Sequence, residues 1–160
     1  MYDFKIAAAD KAVMYRDLLS ALEGLTAGET DQVANMANVA ALVFETLPDL
    51  NWAGFYRNTG GELVVGPFQG RPACIRIPFG EGVCGAAAQT LRVQRVEDVN
   101  EFPGHIACDS ASASELVVPI VGADGKLVAV LDLDSPRVAR FTEEDEEGCV
   151  AVCELLAKVL

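Results

Sequence analysis

The chain has 160 residues, 51% of them hydrophobic, and carries 24 acidic against 12 basic residues for a formal net charge of -12. This length suits one domain, so we expect a single domain over residues 1–160. The negative field repels phosphate backbones and anionic lipids, which argues against a nucleic-acid or membrane partner. Because we also find neither a signal region nor the roughly 20 apolar residues of a membrane span, we expect a cytoplasmic protein.

Two helices are predicted first, because apolar residues recur at 3.6-residue spacing in two separate stretches. One stripe lies between Met14 and Leu22, and the other lies between Val33 and Leu47. Gly24 and Pro48 are expected to end the two helices. Short runs of strand character follow at 52–58, 62–65 and 73–77, and the turn residues 58–61 join the first two as a hairpin.

The second half of the chain predicts a short Ala-rich helix at 82–90, a strand at 92–96 and then a long loop. Two further strands, at 116–121 and 126–132, are joined by a turn rich in glycine. Thr142 is expected to cap a last helix, with Asp145 at the reciprocal capping position. The predicted fold class is α+β, with a central, mainly antiparallel sheet of about six strands flanked by helices.

Five cysteines are present, and their odd number, without an export signal, argues against a secreted disulfide framework. They are Cys74, Cys84, Cys108, Cys149 and Cys153. The last two lie on the apolar face of the final helix and are predicted to be core residues. The other three adjoin loops or a helix start and are the candidates for function. Free thiols, a metal site and redox chemistry all remain open at this point.

Two local features can activate a thiol. Cys84 follows Gly80 and Gly82 at the start of the short helix, where the helix dipole favours a thiolate. Cys108 shares its loop with His105, the only histidine, whose imidazolium can lower the pKa of a neighbouring thiol. The residues alone do not choose between these two cysteines.

Two other interpretations are weaker. The segment GEGVCG at 80–85 has the form of a dinucleotide-binding turn, but the helix after it is too short for a parallel crossover in a sheet built of hairpins. Cys74, Cys84, His105 and Cys108 would make a zinc set of three cysteines and one histidine, but they lack the close paired spacings of structural zinc sites. We therefore expect no metal.

Polar and aromatic residues on the strands complete a candidate site. Asp132 and Asp134 alternate with leucines and so project to one face of the last strand, while Glu115 begins its neighbour. Carboxylates that converge in a pocket can hold an ammonium group, or donate a proton where the pKa is raised. Trp52 and Tyr56 share strand parity and can wall an apolar pocket, although both are equally compatible with a core position.

The chain resembles the free methionine (R)-sulfoxide reductase family in four blocks. These are NWAGFY at 51–56, GPFQGRPACIRIPFGEGVCG at 66–85, FPGHIACDSASASE at 102–115 and LDLDSP at 131–136. The resemblance implies a GAF fold and an enzyme that reduces free L-methionine (R)-sulfoxide, with thioredoxin as the external reductant and no bound cofactor.

The same resemblance implies roles for individual residues. Cys108 is the nucleophile, Cys74 resolves its sulfenic acid as a disulfide, and Cys84 is an auxiliary or alternative thiol. It also implies that the polar and aromatic candidates bind substrate. These are Trp52, Tyr56, Glu115, Asp132 and Asp134. The competing hypothesis is a GAF module that senses a ligand or redox state, but a plain ligand sensor would not need three cysteines.

The apolar stripes on the first and last helices are expected to be larger than the area that packs on the sheet, so part of each stripe stays uncovered. We therefore predict a homodimer.

Overall fold

Residues 10–160 of the computed structural model are described here, and their elements follow the predicted order. The helices are α1 (Lys11–Thr26), α2 (Gln32–Thr46), α3 (Gly82–Thr90) and α4 (Glu143–Leu156). The strands are β1 (Trp52–Asn58), β2 (Glu62–Gly70), β3 (Arg76–Pro78), β4 (Gln94–Val96), β5 (Ser114–Val121) and β6 (Leu127–Ser135). A short 3-10 helix, Val99–Glu101, lies in the long loop after β4.

The six strands form one sheet in the order β3-β2-β1-β6-β5-β4, and every neighbouring pair is antiparallel. Antiparallel neighbours need only short turns, which is why the sequence shows two hairpin signals. The predicted fold class is thereby confirmed. The same pairing excludes the parallel crossover of a dinucleotide-binding unit, and Gly80 and Gly82 instead adopt positive φ in a tight turn from β3 into α3.

The sheet separates two cores, because successive side chains of a strand point to opposite faces. Ala53 and Phe55 of β1 pack with α1, α2 and α4 in the larger core. Trp52 and Tyr56 of the same strand face α3 and the irregular segments on the other side. The smaller core therefore lies on the face that carries the candidate site.

The last helix agrees with its prediction. It begins after Thr142, whose backbone N–H donates a 2.9 Å hydrogen bond to the Asp145 carboxylate. Cys149 and Cys153 are both buried in the larger core. Their assignment as core residues is confirmed.

Two local predictions in the first helices are wrong. Gly24 does not end α1, which continues to Thr26, where the Thr26 hydroxyl donates to the Leu22 carbonyl and the side chain is buried. An isolated glycine costs a helix only about 1 kcal/mol, which packing of the last turn outweighs. Val33 is exposed in the first turn of α2, so the buried stripe of that helix begins at Asn35.

The edges of the sheet also differ from expectation. β2 continues to Gly70, whereas β3 begins only at Arg76, because residues 71–75 form an irregular segment that contains Pro72. Proline lacks the N–H that a ladder needs, which keeps Pro72 itself out of the ladder, and the pairing with β2 starts where the Val65 N–H donates to the Ile75 carbonyl at 3.0 Å. Within the described residues, no helix is both long and apolar enough to cross a bilayer.

Candidate functional site

A pocket opens on the smaller-core face of the sheet, between α3 and two irregular segments. The first is residues 71–75, before β3, and the second is residues 102–112, in the loop before β5. Seven of the eight site residues predicted from the sequence line it. They are Trp52, Tyr56, Cys84, Cys108, Glu115, Asp132 and Asp134, and the eighth, Cys74, is bonded to Cys108.

A disulfide links the two irregular segments across this pocket. It joins Cys74 to Cys108, whose Cα atoms are 5.3 Å apart, and both cysteines are half-buried. The pairing is the one that the family resemblance implies. Because both sulfurs are bonded to each other, the zinc set of three cysteines and His105 is not assembled.

Cys84 is the free cysteine of the pocket, and its surroundings contradict the expectation of a thiolate. It lies in the first turn of α3 but is only 4% exposed, and its Sγ donates to Glu115 Oε1 at 3.8 Å. Burial, together with the charges of Asp132 and Glu115, raises the pKa of the Cys84 thiol well above its usual range. Desolvation and like charge outweigh the helix dipole, so Cys84 remains a protonated thiol.

His105 lines the same pocket, but it does not act as the expected cation. Burial lowers the pKa of His105 and so favours the neutral imidazole, and its Nδ1 is buried without a hydrogen-bond partner among residues 10–160. A neutral ring can accept or donate a hydrogen bond, but it provides no positive charge to stabilise a thiolate.

Strand register brings the three carboxylates together. Glu115 is paired with Asp134 across β5 and β6, and Asp134 is paired with Trp52 across β6 and β1. Asp132 lies two residues earlier on β6 and therefore on the same face. Glu115 and Asp132 are 6% and 5% exposed, and none of the three carboxylates forms an ion pair within residues 10–160.

The absence of cations around these carboxylates within the described chain favours their neutral forms. Burial raises the pKa of Asp132 to about 7. Burial and the neighbouring charge of Asp132 raise the pKa of Glu115 and of Asp134 well above the usual range. At neutral pH this cluster therefore holds protons that it can share with, or transfer to, a bound ligand.

One group of three side chains has the geometry to hold a cation. Ligand atoms of Cys84, Glu115 and Asp132 lie within 4.8 Å of one another, and Asp132 Oδ1 is buried without a hydrogen-bond partner in the described part of the chain. A metal would have to displace protons from all three groups, because the pKa of each is raised. The arrangement suits hydrogen bonding and proton transfer at least as well.

Aromatic side chains form the apolar wall of the pocket. Trp52 stacks on Tyr56 and on Phe68, with ring centroids 5.7 and 5.1 Å apart. Gly54 permits this arrangement, since a Cβ there would lie 2.3 Å from that of Phe68. The indole N–H donates to the Arg71 carbonyl, and the Tyr56 hydroxyl donates to the Cys74 carbonyl, each at 3.1 Å. The wall therefore also positions the segment that carries Cys74.

Sequence reasoning missed the residues that hold the second irregular segment. The Asn51 side chain donates to Asp109 Oδ2 and to Ser112 Oγ, each at 3.1 Å, and so fixes the loop beside Cys108. Asp109 and Ser112 themselves line the pocket. Their only signal was membership of the sequence blocks shared with the reductase family, because polar residues in a loop have no periodicity to interpret.

Comparison with known proteins identifies the family. The GAF domain family model matches residues 5–160. The free methionine-R-sulfoxide reductase of Escherichia coli is 51% identical over 94% of this chain and 91% of that protein, and the enzyme of the same name from Saccharomyces cerevisiae is 42% identical over 93% of this chain and 87% of that protein.

A solved structure agrees with both. The free methionine-R-sulfoxide reductase of Neisseria meningitidis, in complex with its substrate, superposes with a TM-score of 0.94 at 45% identity, covering 99% of this chain and 95% of that chain. The family resemblance found in the sequence is confirmed. The chain therefore belongs to the GAF domain family and, within it, to the free methionine-R-sulfoxide reductases.

Proposed function

We propose that the chain reduces free L-methionine (R)-sulfoxide to L-methionine through a cysteine sulfenic acid and an intramolecular disulfide. The observation that carries this proposal is the Cys74–Cys108 disulfide beside a pocket that contains three carboxyl groups without a cationic partner in residues 10–160. In the reduced protein the two cysteine thiols supply the two electrons and become the disulfide, and a carboxylic acid supplies the proton that transfer of the sulfoxide oxygen consumes.

The first step takes place at Cys108. In the reduced protein its thiolate attacks the sulfoxide sulfur while a carboxylic acid protonates the sulfoxide oxygen. The oxygen is transferred to Cys108 as a sulfenic acid, and methionine leaves as the thioether. Sulfur of the substrate is reduced by two electrons, and Cys108 is oxidised by the same two electrons.

The second step forms the disulfide between Cys74 and Cys108. The thiol of Cys74 attacks the sulfenic sulfur of Cys108, water leaves, and the S–S bond forms. A dithiol reductant then returns both cysteines to thiols and becomes a disulfide itself. We assign this role to thioredoxin, as the family resemblance implies, and no bound cofactor is required.

Glu115 is our candidate for the proton donor. Its pKa is raised by burial and by the charge of Asp132, so it carries a proton at neutral pH. The Cys84 thiol donates a hydrogen bond to the same carboxyl group and is itself too deeply protonated to be an effective nucleophile. We therefore place Cys84 beside the reaction as a positioning residue and retain Cys108 as nucleophile.

Recognition of a free amino acid follows from charge and shape. The ammonium group of a free amino acid lowers the free-energy cost of ionising Asp132 or Asp134 when it enters the pocket. A methionine sulfoxide residue within a protein chain has an uncharged amide at that position and cannot do so. The stacked rings of Trp52 and Tyr56 offer an apolar surface to the methyl and methylene groups. These two features together select free methionine sulfoxide over its protein-bound form.

The test is thioredoxin-coupled NADPH consumption with the separated R and S epimers of free methionine sulfoxide. We expect turnover of the R epimer alone, loss of turnover in Cys108→Ser, and a single stoichiometric round that leaves a trappable sulfenic acid in Cys74→Ser. Cys84→Ser should retain substantial activity. Cys153→Ala, which changes a core cysteine remote from the pocket, is the matched control and should behave as wild type.

Two outcomes would overturn the proposal or a part of it. No turnover of either epimer by fully reduced protein would favour a GAF module that binds a ligand or senses redox state without reductase activity. Loss of turnover in Cys84→Ser, with sulfenic acid still formed in Cys108→Ser, would move the nucleophile to Cys84.

Three further expectations belong to this proposal. We propose that the protein acts in the cytoplasm, that it is a homodimer, and that it contributes to resistance against oxidative stress by returning oxidised methionine to the free pool. Sedimentation of the purified protein tests the homodimer directly, because a monomer would sediment at the mass of a single chain.

A further inference from the structure

The two irregular segments that carry the disulfide present different surfaces. Ile75, next to Cys74, is 68% exposed, the highest value among the exposed large hydrophobic residues of the described chain. Pro72 and Arg71, earlier in the same segment, are exposed as well. Single exposed apolar residues are common, but this one lies beside a disulfide that another molecule must reach.

Charge is also distributed unequally between the two segments. Residues 63–80 contain no acidic residue, although the chain has 24, and they contain Arg71 and Arg76 on either side of Cys74. Arg76 is paired with Glu62 at 2.6 Å, whereas Arg71 forms no ion pair within residues 10–160. Asp109 follows Cys108 directly. The Ala111 amide, the Asn51 side chain and the nearby charge of Arg71 hold the pKa of its carboxyl group below the usual range, so it is an anion on the Cys108 side of Arg71.

We propose that Ile75 and Arg71 form the docking surface for a protein dithiol reductant, whose thiolate attacks Sγ of Cys74 rather than Sγ of Cys108. The attacking group is an anion, so Arg71 attracts it to the Cys74 side and Asp109 repels it from the Cys108 side. Ile75 offers the apolar contact that a folded partner can desolvate and a small thiol cannot use. This inference rests on the proposed function, which requires the disulfide to be reduced.

The exchange balances in two steps. The reductant's thiolate forms a bond with Sγ of Cys74, the Cys74–Cys108 bond breaks, and Cys108 leaves as a thiolate that takes a proton from water or re-enters the catalytic cycle. The reductant's second thiol then attacks the mixed disulfide, and Cys74 is released as a thiol. Two electrons pass from the dithiol, which becomes a disulfide, to the two cysteines of this chain.

The experiment measures reduction of the oxidised protein directly, without methionine sulfoxide. Thioredoxin with its reductase and NADPH is one reductant, and dithiothreitol is the other. Ile75→Ser is compared with Val138→Ser, a matched change at a residue that is 59% exposed in the connection between β6 and α4. We expect Ile75→Ser to slow reduction by thioredoxin about five- to tenfold and to leave reduction by dithiothreitol unchanged. Val138→Ser should change neither rate.

The attacked sulfur is identified with a thioredoxin variant that lacks its second active-site cysteine and therefore traps the mixed disulfide. Peptide mapping should place the adduct on Cys74, and an adduct on Cys108 would overturn the assignment. Unchanged reduction of Ile75→Ser by thioredoxin, or equal slowing with both reductants, would overturn the docking surface. Failure of the proposed function appears separately, as a disulfide that thioredoxin reduces in a protein that does not turn over methionine sulfoxide.

Discussion

Buried carboxylates occupy two regions of this molecule, and their environments are opposite. Asp145, in the first turn of α4, accepts a hydrogen bond from the Tyr15 hydroxyl of α1 at 2.9 Å and forms ion pairs with Lys11 at 2.6 Å and Arg140 at 3.0 Å. Burial opposes its ionisation, but these partners and the Thr142 amide outweigh it and hold the pKa of Asp145 below the usual range. This carboxylate is charged, saturated with partners and unavailable to a ligand.

Across the sheet, the pocket carboxylates have none of these cationic partners within residues 10–160. Burial raises the pKa of Glu115, Asp132 and Asp134, and none of the described residues forms a hydrogen bond with Asp132 Oδ1. The comparison shows how the same side-chain chemistry is divided between stability and function. A buried carboxylate surrounded by cations holds elements together, whereas one left without them retains protons and binding capacity for a substrate.

The largest expected effect is a loss of stability when the charge of Asp145 is removed. Asp145→Asn leaves Lys11 and the buried Arg140 without their anion, which should lower the free energy of unfolding by about 3–5 kcal/mol. Urea unfolding at pH 7 measures this. Asp17→Asn removes an exposed ion pair with Arg16 and is the control, with an expected loss of less than about 1 kcal/mol. Equal losses in the two variants would mean that the ion pairs of Asp145 stabilise the fold no more than an exposed ion pair does.

The next largest effect is a loss of activity, and it comes from replacing a carboxyl group of the pocket by an amide. Glu115→Gln keeps the size of the side chain but removes the transferable proton, so kcat/KM for methionine (R)-sulfoxide should fall about a hundredfold or more. Its unfolding free energy at pH 7 should stay close to that of wild type, because a neutral amide replaces a neutral acid. A variant that unfolds more easily while turning over normally would show that Glu115 is a structural residue.

The smallest effect is a pH dependence whose sign separates the two regions. Asp132 has a raised pKa, so the folded protein binds more protons than the unfolded chain, and its stabilising contribution is lost as pH rises from about 4 to about 7. The contribution of Asp145 is complete above about pH 4 and is lost only as pH falls further.

Urea unfolding of wild type and Asp132→Asn between pH 5 and 8 measures this difference. The unfolding free energy of wild type should decline relative to the variant by up to about 1.4 kcal/mol per pH unit across the titration. A constant difference over this range would mean that Asp132 is already ionised in the folded protein.

Much of the fold and part of the site could be predicted from residue spacing. The alternation of β6 alone places Asp132 and Asp134 opposite Leu131 and Leu133, and the structure puts the leucines in the larger core and the aspartates at the pocket. Helix periodicity and hairpin turns likewise lead to the correct order of elements. These signals succeed because they depend on neighbours along the chain.

The charge state of the site could not be predicted in this way. Cys84 is at a helix start, which locally favours a thiolate, but Glu115 and Asp132 arrive from two distant strands and reverse the effect. The anchoring of the loop by Asn51 depends on a contact 58 residues away along the chain. Both features arise from which segments meet in space, and that information is not contained in local spacing.

The alternation of β6 has a consequence for how this protein can change over evolutionary time. Its odd-numbered residues from Ala129 to Leu133 are constrained by packing against the helices, while Asp132 and Asp134 face the pocket on the other side of the sheet. Substitutions at Asp132 and Asp134 can alter ligand preference without a penalty in the helix-side core. β6 thus contains two sets of positions that can change independently, one that packs the core and one that lines the pocket. This suits a fold that is shared by enzymes and sensors.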